Sequence, residues 1–206
     1  MITIVDYGMG NVGSIQNMLR RLGIECNIAS DPSSVLQAKK LILPGVGHFD
    51  QAMRNLCAME LVAPLNEMVC DRQTPILGIC LGMQLITQGS EEGGQEPGWG
   101  WIAARTRKFV FSGDAAQLRV PHMGWNTVRV ERPHPLVADL GEEPRFYFVH
   151  TYYVECEQED NVLCTTEYGF AFASAIVNGH ILGTQFHPEK SHKYGLQLLE
   201  NFAKLT

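Results

Sequence analysis

The sequence predicts an α/β fold: a central, mostly parallel sheet flanked by helices, with an antiparallel β extension. Three observations predict it. Short apolar runs alternate with helical patterns through the first half. Strand patterns dominate from Trp101 to Thr166. Asn178-Gly179 then stands between two apolar runs, a strong hairpin signal. Strand–helix alternation builds a parallel sheet covered on both faces.

Taken in order, "ITIVDY" reads as a buried strand, and Val12 to Leu22 has helical apolar spacing with Gly23 as its stop. "ECNIAS" and "LILPG" are the next strands, with a helix after Asp31 between them. Helical stretches cover Phe49 to Leu56 and Leu61 to Asp71. "PILGIC" is a strand, and Leu81 to Gln88 begins a helix. In the second half "NTVRVE" and "RFYFVHTYYVEC" are strands, and "ASAIVNGHILGTQFH" is the hairpin. By contrast, "HMGWN" has little helical or strand period. A final helix runs roughly from Tyr194 to Leu205. No linker divides the halves, so residues 1–206 are expected to form one domain.

Composition narrows the function. Hydrophobic residues make up 45% and charged residues 18%, a globular balance. Net charge is −6 with no basic tract, which argues against a nucleic-acid surface. The apolar start meets Asp6 almost at once, unlike a signal peptide, and no stretch is long enough to span a bilayer. The expected location is the cytoplasm, with no membrane partner. Six cysteines are scattered without a CxxC pair, so reduced thiols are expected, and nothing has metal-ligand spacing. No cofactor is implied.

One cysteine stands out. Gly78-Ile79-Cys80-Leu81-Gly82 places a thiol between glycines where a strand turns into a helix. That is the nucleophile-elbow arrangement with sulfur in place of a hydroxyl. The turn exposes the sulfur at the carboxyl edge of the sheet, and the helix points its positive end at it, which favours the thiolate. The bland alternative is a buried structural cysteine, the expected state of the other five.

A thiolate nucleophile needs a base, and the base an orienting acid. Of seven histidines, only His187 sits at the end of an expected strand with a carboxylate close by, in "QFHPEKS". Pro188 pushes His187 toward extended geometry, where side chains two apart share a side. Glu189 can therefore hold the ring. Gly45 and Gly47 in "LPGVGHF" can turn backbone N–H groups toward a developing oxyanion, although such a loop is also an ordinary glycine-rich turn.

Together, P-I-L-G-I-C-L-G-M-Q, P-G-V-G and F-H-P-E, in that order, resemble the class I (triad-type) glutamine amidotransferases. The resemblance covers the whole chain. It implies the class I glutamine amidotransferase fold and hydrolysis of the glutamine side-chain amide through a thioester. It implies Cys80 as nucleophile, His187 as general base and acid, and Glu189 as orienter. It also implies an oxyanion hole from Gly45, Val46, Gly47 and the backbone at Leu81, with Gln84 contacting substrate. Within that family "DYGMGNVGSI", "PHMGWN" and "FYFVHTYY" resemble the glutaminase subunits of bacterial imidazole glycerol phosphate synthases. Those work with a (β/α)8-barrel cyclase subunit as a heterodimer in histidine biosynthesis and pass ammonia to it. By that likeness Glu92 meets the amino group of glutamine, and Thr151 and Tyr152 hold its main-chain end. Asn11, Trp125, Tyr147 and Lys190 lie near the ammonia exit or the cyclase face. Each has a bland counterpart as loop, core or surface residue, and His122 and His150 read as structural.

Other readings stay open at this point. The near one is a glutaminase subunit of another synthase. A distant one rests on Gly8 to Gly13, G-x-G-x-x-G between a strand and a helix, with Asp31 a little over 20 residues on. It suggests a dinucleotide-binding oxidoreductase but explains neither Cys80 nor "FHPEK". A third is a noncatalytic subunit with a relic site.

Overall fold

The computed structural model describes residues 1–205. Thr206, the end of the expected domain, lies outside the described residues. Four strands, β1 (Ile2–Val5), β2 (Cys26–Ala29), β3 (Leu41–Gly45) and β4 (Ile76–Cys80), run parallel in the order β2-β1-β3-β4. Between and after them come α1 (Val12–Arg21), α2 (Pro32–Val35), α3 (Phe49–Ala58), α4 (Val62–Asn66) and α5 (Leu81–Leu85). The second half supplies β5 (Ala104–Lys108), β6 (His122–Thr127), β7 (Arg129–Val130), β8 (Arg145–His150), β9 (Tyr152–Cys156), β10 (Val162–Glu167), β11 (Ala171–Asn178), β12 (Ile181–Thr184) and α6 (His192–Lys204).

The sheet continues β4-β12-β11-β10-β7, with β9 on β11 and β5 on β9. β12 is the seam: it pairs in parallel with β4 and antiparallel with β11. β6 and β8 form a separate two-stranded ribbon.

Strand alternation splits the core across the sheet. Val5, Leu43 and Ile76 join one apolar cluster with Leu56 of α3 and Leu65 of α4. Their neighbours Ile4, Ile42 and Leu77 join the other with Leu19 of α1 and Leu199 of α6. Each such fully buried side chain contributes about 1.5–3 kcal/mol.

Several boundaries differ from the sequence reading, each for a local reason. The helix from Leu81 stops at Leu85, because the Thr87 hydroxyl and backbone N–H both take the Gln84 carbonyl, at 2.8 and 3.1 Å. "NTVRVE" is divided between the end of β6 and the short β7, with buried Val128 at the break. Leu61 to Asp71 is α4 followed by a π-helical turn over Glu67–Asp71. "HMGWN" is a strand after all, because its partner β8 supplies the pairing that its own pattern does not announce. The β11–β12 hairpin forms with Asn178 opposite Ile181, so Gly179-His180 are the turn residues; Gly179 supplies φ 57°.

Candidate functional site

Cys80 ends β4 with φ 54° and ψ −107°, a backbone state costly for any residue with a side chain. Its glycines are steric necessities. A Cβ on Gly78 would lie 2.6 Å from the Gly82 carbonyl oxygen, and one on Gly82 would run into the Leu43 carbonyl. Only with both glycines can α5 fold back over β4 and against β3. The sharp turn expected at the cysteine is therefore present, and the thiol is buried.

β12 brings His187. Its parallel pairing with β4 sets Thr184 opposite Ile79, so the segment after β12 leaves the sheet beside Cys80. The His187 N–H donates to the Tyr147 carbonyl at 2.9 Å, and the Ser191 hydroxyl donates to the His187 carbonyl at 2.6 Å. A short turn over Pro188–Lys190 then folds Glu189 back, and His187 Nδ1 lies 2.7 Å from Glu189 Oε1. The two side chains are 1% and 3% exposed. His187 Nε2 makes no hydrogen bond among the described residues. Burial alone would lower the His187 pKa, but the charge of the adjacent Cys80 sulfur and the Glu189 carboxylate raise it to about 10. His187 thus has its basicity raised where it lies between the Glu189 carboxylate and the Cys80 sulfur.

Val46, Gly47, Cys80, Leu81, Gln84, Glu92, Thr151 and Tyr152 line one cavity of about 280 Å³, together with Pro121, Val149 and His150. The oxyanion and substrate residues expected from sequence are thus gathered around the sulfur, and Gly45 lies just behind, opposite Cys80 in the β3–β4 register. Glu92 Oε2 accepts the Phe49 N–H at 2.8 Å, which fixes the carboxylate at the start of α3. The Gln84 amide Nε2 is engaged within the protein, donating to the Tyr152 carbonyl at 3.4 Å and to Gln185 Oε1 at 3.2 Å.

The residues expected near the partner face divide. Trp125 and Tyr147 are opposite each other on β6 and β8, with ring centroids 6.3 Å apart. Lys190 Nζ lies 5.7 Å from the Tyr147 ring centre. Trp125 also stacks parallel on His192 at 5.3 Å. Asn11 is engaged elsewhere: its Oδ1 accepts the Ser14 N–H at 3.1 Å and caps α1.

Some site residues escaped the sequence. Tyr7, fully buried, donates its hydroxyl to the Pro44 carbonyl at 2.7 Å, directly before Gly45. Burial, and secondarily the Cys80 charge, raise its pKa, so the hydroxyl keeps its proton. His122 and His150 form a bonded pair at 2.9 Å, and His150 Nδ1 donates to the Tyr152 carbonyl at 2.8 Å. The segments "DYGMGNVGSI", "PHMGWN" and "FYFVHTYY" contain these residues, but only long-range pairing reveals their contacts.

The remaining motif serves packing. A Cβ on Gly10 would lie 3.2 Å from Pro44 Cβ, and Asp31 caps α2 through the Ser34 N–H at 3.0 Å. The Asp31 carboxylate is committed to Ser33 and Ser34, which lower its pKa to about 2. A larger cavity of about 530 Å³ lies by Pro75, His134, His180 and Asn201, at the far end of β12 from Cys80, and is lined by no cysteine, serine or threonine. Among the described residues no group of three His, Cys, Asp or Glu side chains could hold a metal ion, and no helix is long and apolar enough to cross a membrane.

Comparison with known proteins identifies the family. Residues 3–205 match the family model described as glutamine amidotransferase class-I. The chain is 52% identical over 204 residues to a Methanococcus maripaludis protein named imidazole glycerol phosphate synthase subunit HisH 2, covering 99% of each. It is 44% identical over 206 residues to a Pseudomonas aeruginosa protein of the same name, covering all of both. A crystal structure of a glutamine amidotransferase superposes over the full length of both chains with TM-score 0.77 at 19% identity. A putative GMP synthase subunit from Thermoplasma acidophilum does so with TM-score 0.72 over 98% of this chain and 91% of its own, at 23% identity.

Proposed function

The chain belongs to the class-I glutamine amidotransferases, and from that premise we propose how Cys80, His187 and Glu189 carry out its reaction. Its function is that of the glutaminase subunit of imidazole glycerol phosphate synthase, in histidine biosynthesis. The observation that carries the mechanism is the buried His187–Glu189 pair beside a sulfur held in a strained turn.

The Cys80 thiolate attacks the side-chain carbonyl carbon of glutamine, and the carbonyl electron pair moves to oxygen. Backbone N–H groups of Leu81 and of the Gly45-Val46-Gly47 loop receive that charge. His187 Nε2 gives its proton to the leaving nitrogen, the C–N bond breaks, and ammonia departs, leaving a thioester. The now neutral imidazole takes a proton from water, which attacks the thioester carbon. The C–S bond then breaks, and glutamate and the thiolate–imidazolium pair are regenerated. Glu189 holds Nδ1–H throughout and stabilises the imidazolium. In this reading Gln84, Glu92, Thr151 and Tyr152 hold the substrate.

Ammonia released into water would be protonated and lost, so the partner that receives it must dock over the site. That partner is a (β/α)8-barrel cyclase subunit, forming a heterodimer in the cytoplasm, with the Trp125–Tyr147–Lys190 cluster and Asn11 at its face. Cys80→Ser tests the scheme. Glutamine-dependent synthesis by the complex should vanish while synthesis from added ammonium salt survives. Equal loss of both would point to a folding or docking defect and remove the support for Cys80 as nucleophile.

A further inference from the structure

Gln185 lies two residues before His187 and is fully buried. Hydrogen-bond polarity fixes its orientation. The Gln84 atom 3.4 Å from the Tyr152 carbonyl must be the amide nitrogen, because a carbonyl only accepts. That same nitrogen lies 3.2 Å from the Gln185 side chain, which must therefore present its oxygen. The Gln185 Nε2 is left directed at the Cys80 sulfur, 3.7 Å away. The backbone N–H of Gln185 is fixed separately, at 2.9 Å from the Ser174 carbonyl. The Tyr152 carbonyl that starts this chain is held from its other side by His150 Nδ1 at 2.8 Å. Two segments far from the elbow thus orient one amide against the nucleophile.

We propose that Gln185 is a further catalytic residue, whose side-chain N–H donates to the Cys80 sulfur whenever that sulfur carries charge. The role rests on the reading of Cys80 as nucleophile. During attack the S–C bond forms, charge leaves the sulfur for the glutamine oxygen, and the amide's hold weakens. In the second half of the reaction the C–S bond breaks, the sulfur takes the bonding pair, and the Gln185 N–H receives the returning charge. The amide therefore favours departure of the thiolate from the tetrahedral intermediate, a step that His187 assists only through its charge.

Two substitutions separate this from packing. Gln185→Met removes the donor without adding charge. Gln185→Glu is nearly isosteric and can still accept from Gln84, but turns a carboxylate toward the sulfur. In the assembled complex, Gln185→Met should lower glutaminase kcat about tenfold, the scale of a lost charge-assisted hydrogen bond. The fraction of Cys80 trapped as thioester on acid quench, read by peptide mass spectrometry, should rise. Gln185→Glu should be the more damaging of the two, whereas a packing role predicts the reverse order. Wild-type kcat in both variants, an unchanged thioester fraction, or the reverse order would overturn the proposal. Should Gln185→Met fail to fold, Gln185→Glu carries the test through its thioester fraction. Cys80→Ser, assayed alongside, distinguishes the failures: if it still hydrolyses glutamine the reading of the site falls, whereas wild-type behaviour in the Gln185 variants alone sinks only this proposal.

Discussion

Glu189→Gln isolates what the buried carboxylate does. The substitution preserves shape, so the amide oxygen can still accept His187 Nδ1–H from about the same place, 2.7 Å away in the native pair. What disappears is the charge, in a site where both side chains are almost fully shielded from water. A hydrogen bond to a charged partner is worth about 1.5–3 kcal/mol and a neutral one about 1 kcal/mol. The difference, roughly 0.5–2 kcal/mol, is the support withdrawn from the imidazolium, and it corresponds to about a two- to thirtyfold loss in kcat. KM for glutamine should hold, because Glu189 does not line the substrate cavity. His187→Ala should approach the damage of Cys80→Ser, since in the proposed scheme it removes the proton donor itself. The assay is steady-state glutamate release by the complex, with ammonium-dependent synthesis as the control for folding. Undiminished kcat in Glu189→Gln would show that another acid fills the role and would refute the reasoning.

Further outcomes follow from other parts of the structure. Gly82→Ala should cost about 3 kcal/mol of stability and lower the thermal midpoint, because the new methyl meets the Leu43 carbonyl; Gly13→Ala, which has open space, should leave the midpoint unchanged or raise it. Burial lowers the His150 pKa from 6.5 to about 3 against the opposing pull of the Tyr152 carbonyl, with the His122 and His187 charges lowering it further. Between those values the unfolded chain binds the extra proton, so stability falls as pH drops below about 6.5, by roughly 2 kcal/mol at pH 5 for this residue. Urea titrations at both pH values check the slope, and an equally steep loss in His150→Gln would show that the histidine is not its source. The exposed Val46-Gly47 loop, with Gly47 at φ 116°, can flip a peptide cheaply. The isolated chain should therefore bind glutamine but turn it over slowly, and cyclase docking with nucleotide should raise kcat far more than it lowers KM. A free chain as fast as the liganded complex would end the gating idea.

How much of this was legible depended on whether the cause was local. Cys80 was legible because Gly78 and Gly82 are needed at the elbow itself. His187 and Glu189 were legible because Pro188 constrains the residues on either side of it. The early parallel strands were legible because their apolar runs are continuous. The ends of α5 and the split of "NTVRVE" were not, since they turn on a Thr87 hydroxyl and on a break at Val128. Trp125 lies on a strand only because β8 is there to pair with it. Gln185, Tyr7 and the His122–His150 pair gain their roles from contacts 28 to 105 residues apart in the chain, which no window of sequence contains.

The seam at β12 bears on how such a chain can vary. Sulfur and imidazole emerge from two strands that are immediate neighbours, held in register by Ile79 opposite Thr184. Everything from β5 to β11 leaves after one of those strands and returns before the other. Their spacing is set first by the β4–β12 ladder, and within the excursion β8 pins the His187 N–H through the Tyr147 carbonyl, whereas the outer turns take no part. Its outer turns, such as residues 112–118 between β5 and β6, can therefore lengthen, shorten or change charge without moving the reacting atoms relative to one another. The protein is in effect a fixed reaction frame with an adjustable outboard arm, and a new docking face can be shaped on that arm while the chemistry stays in place.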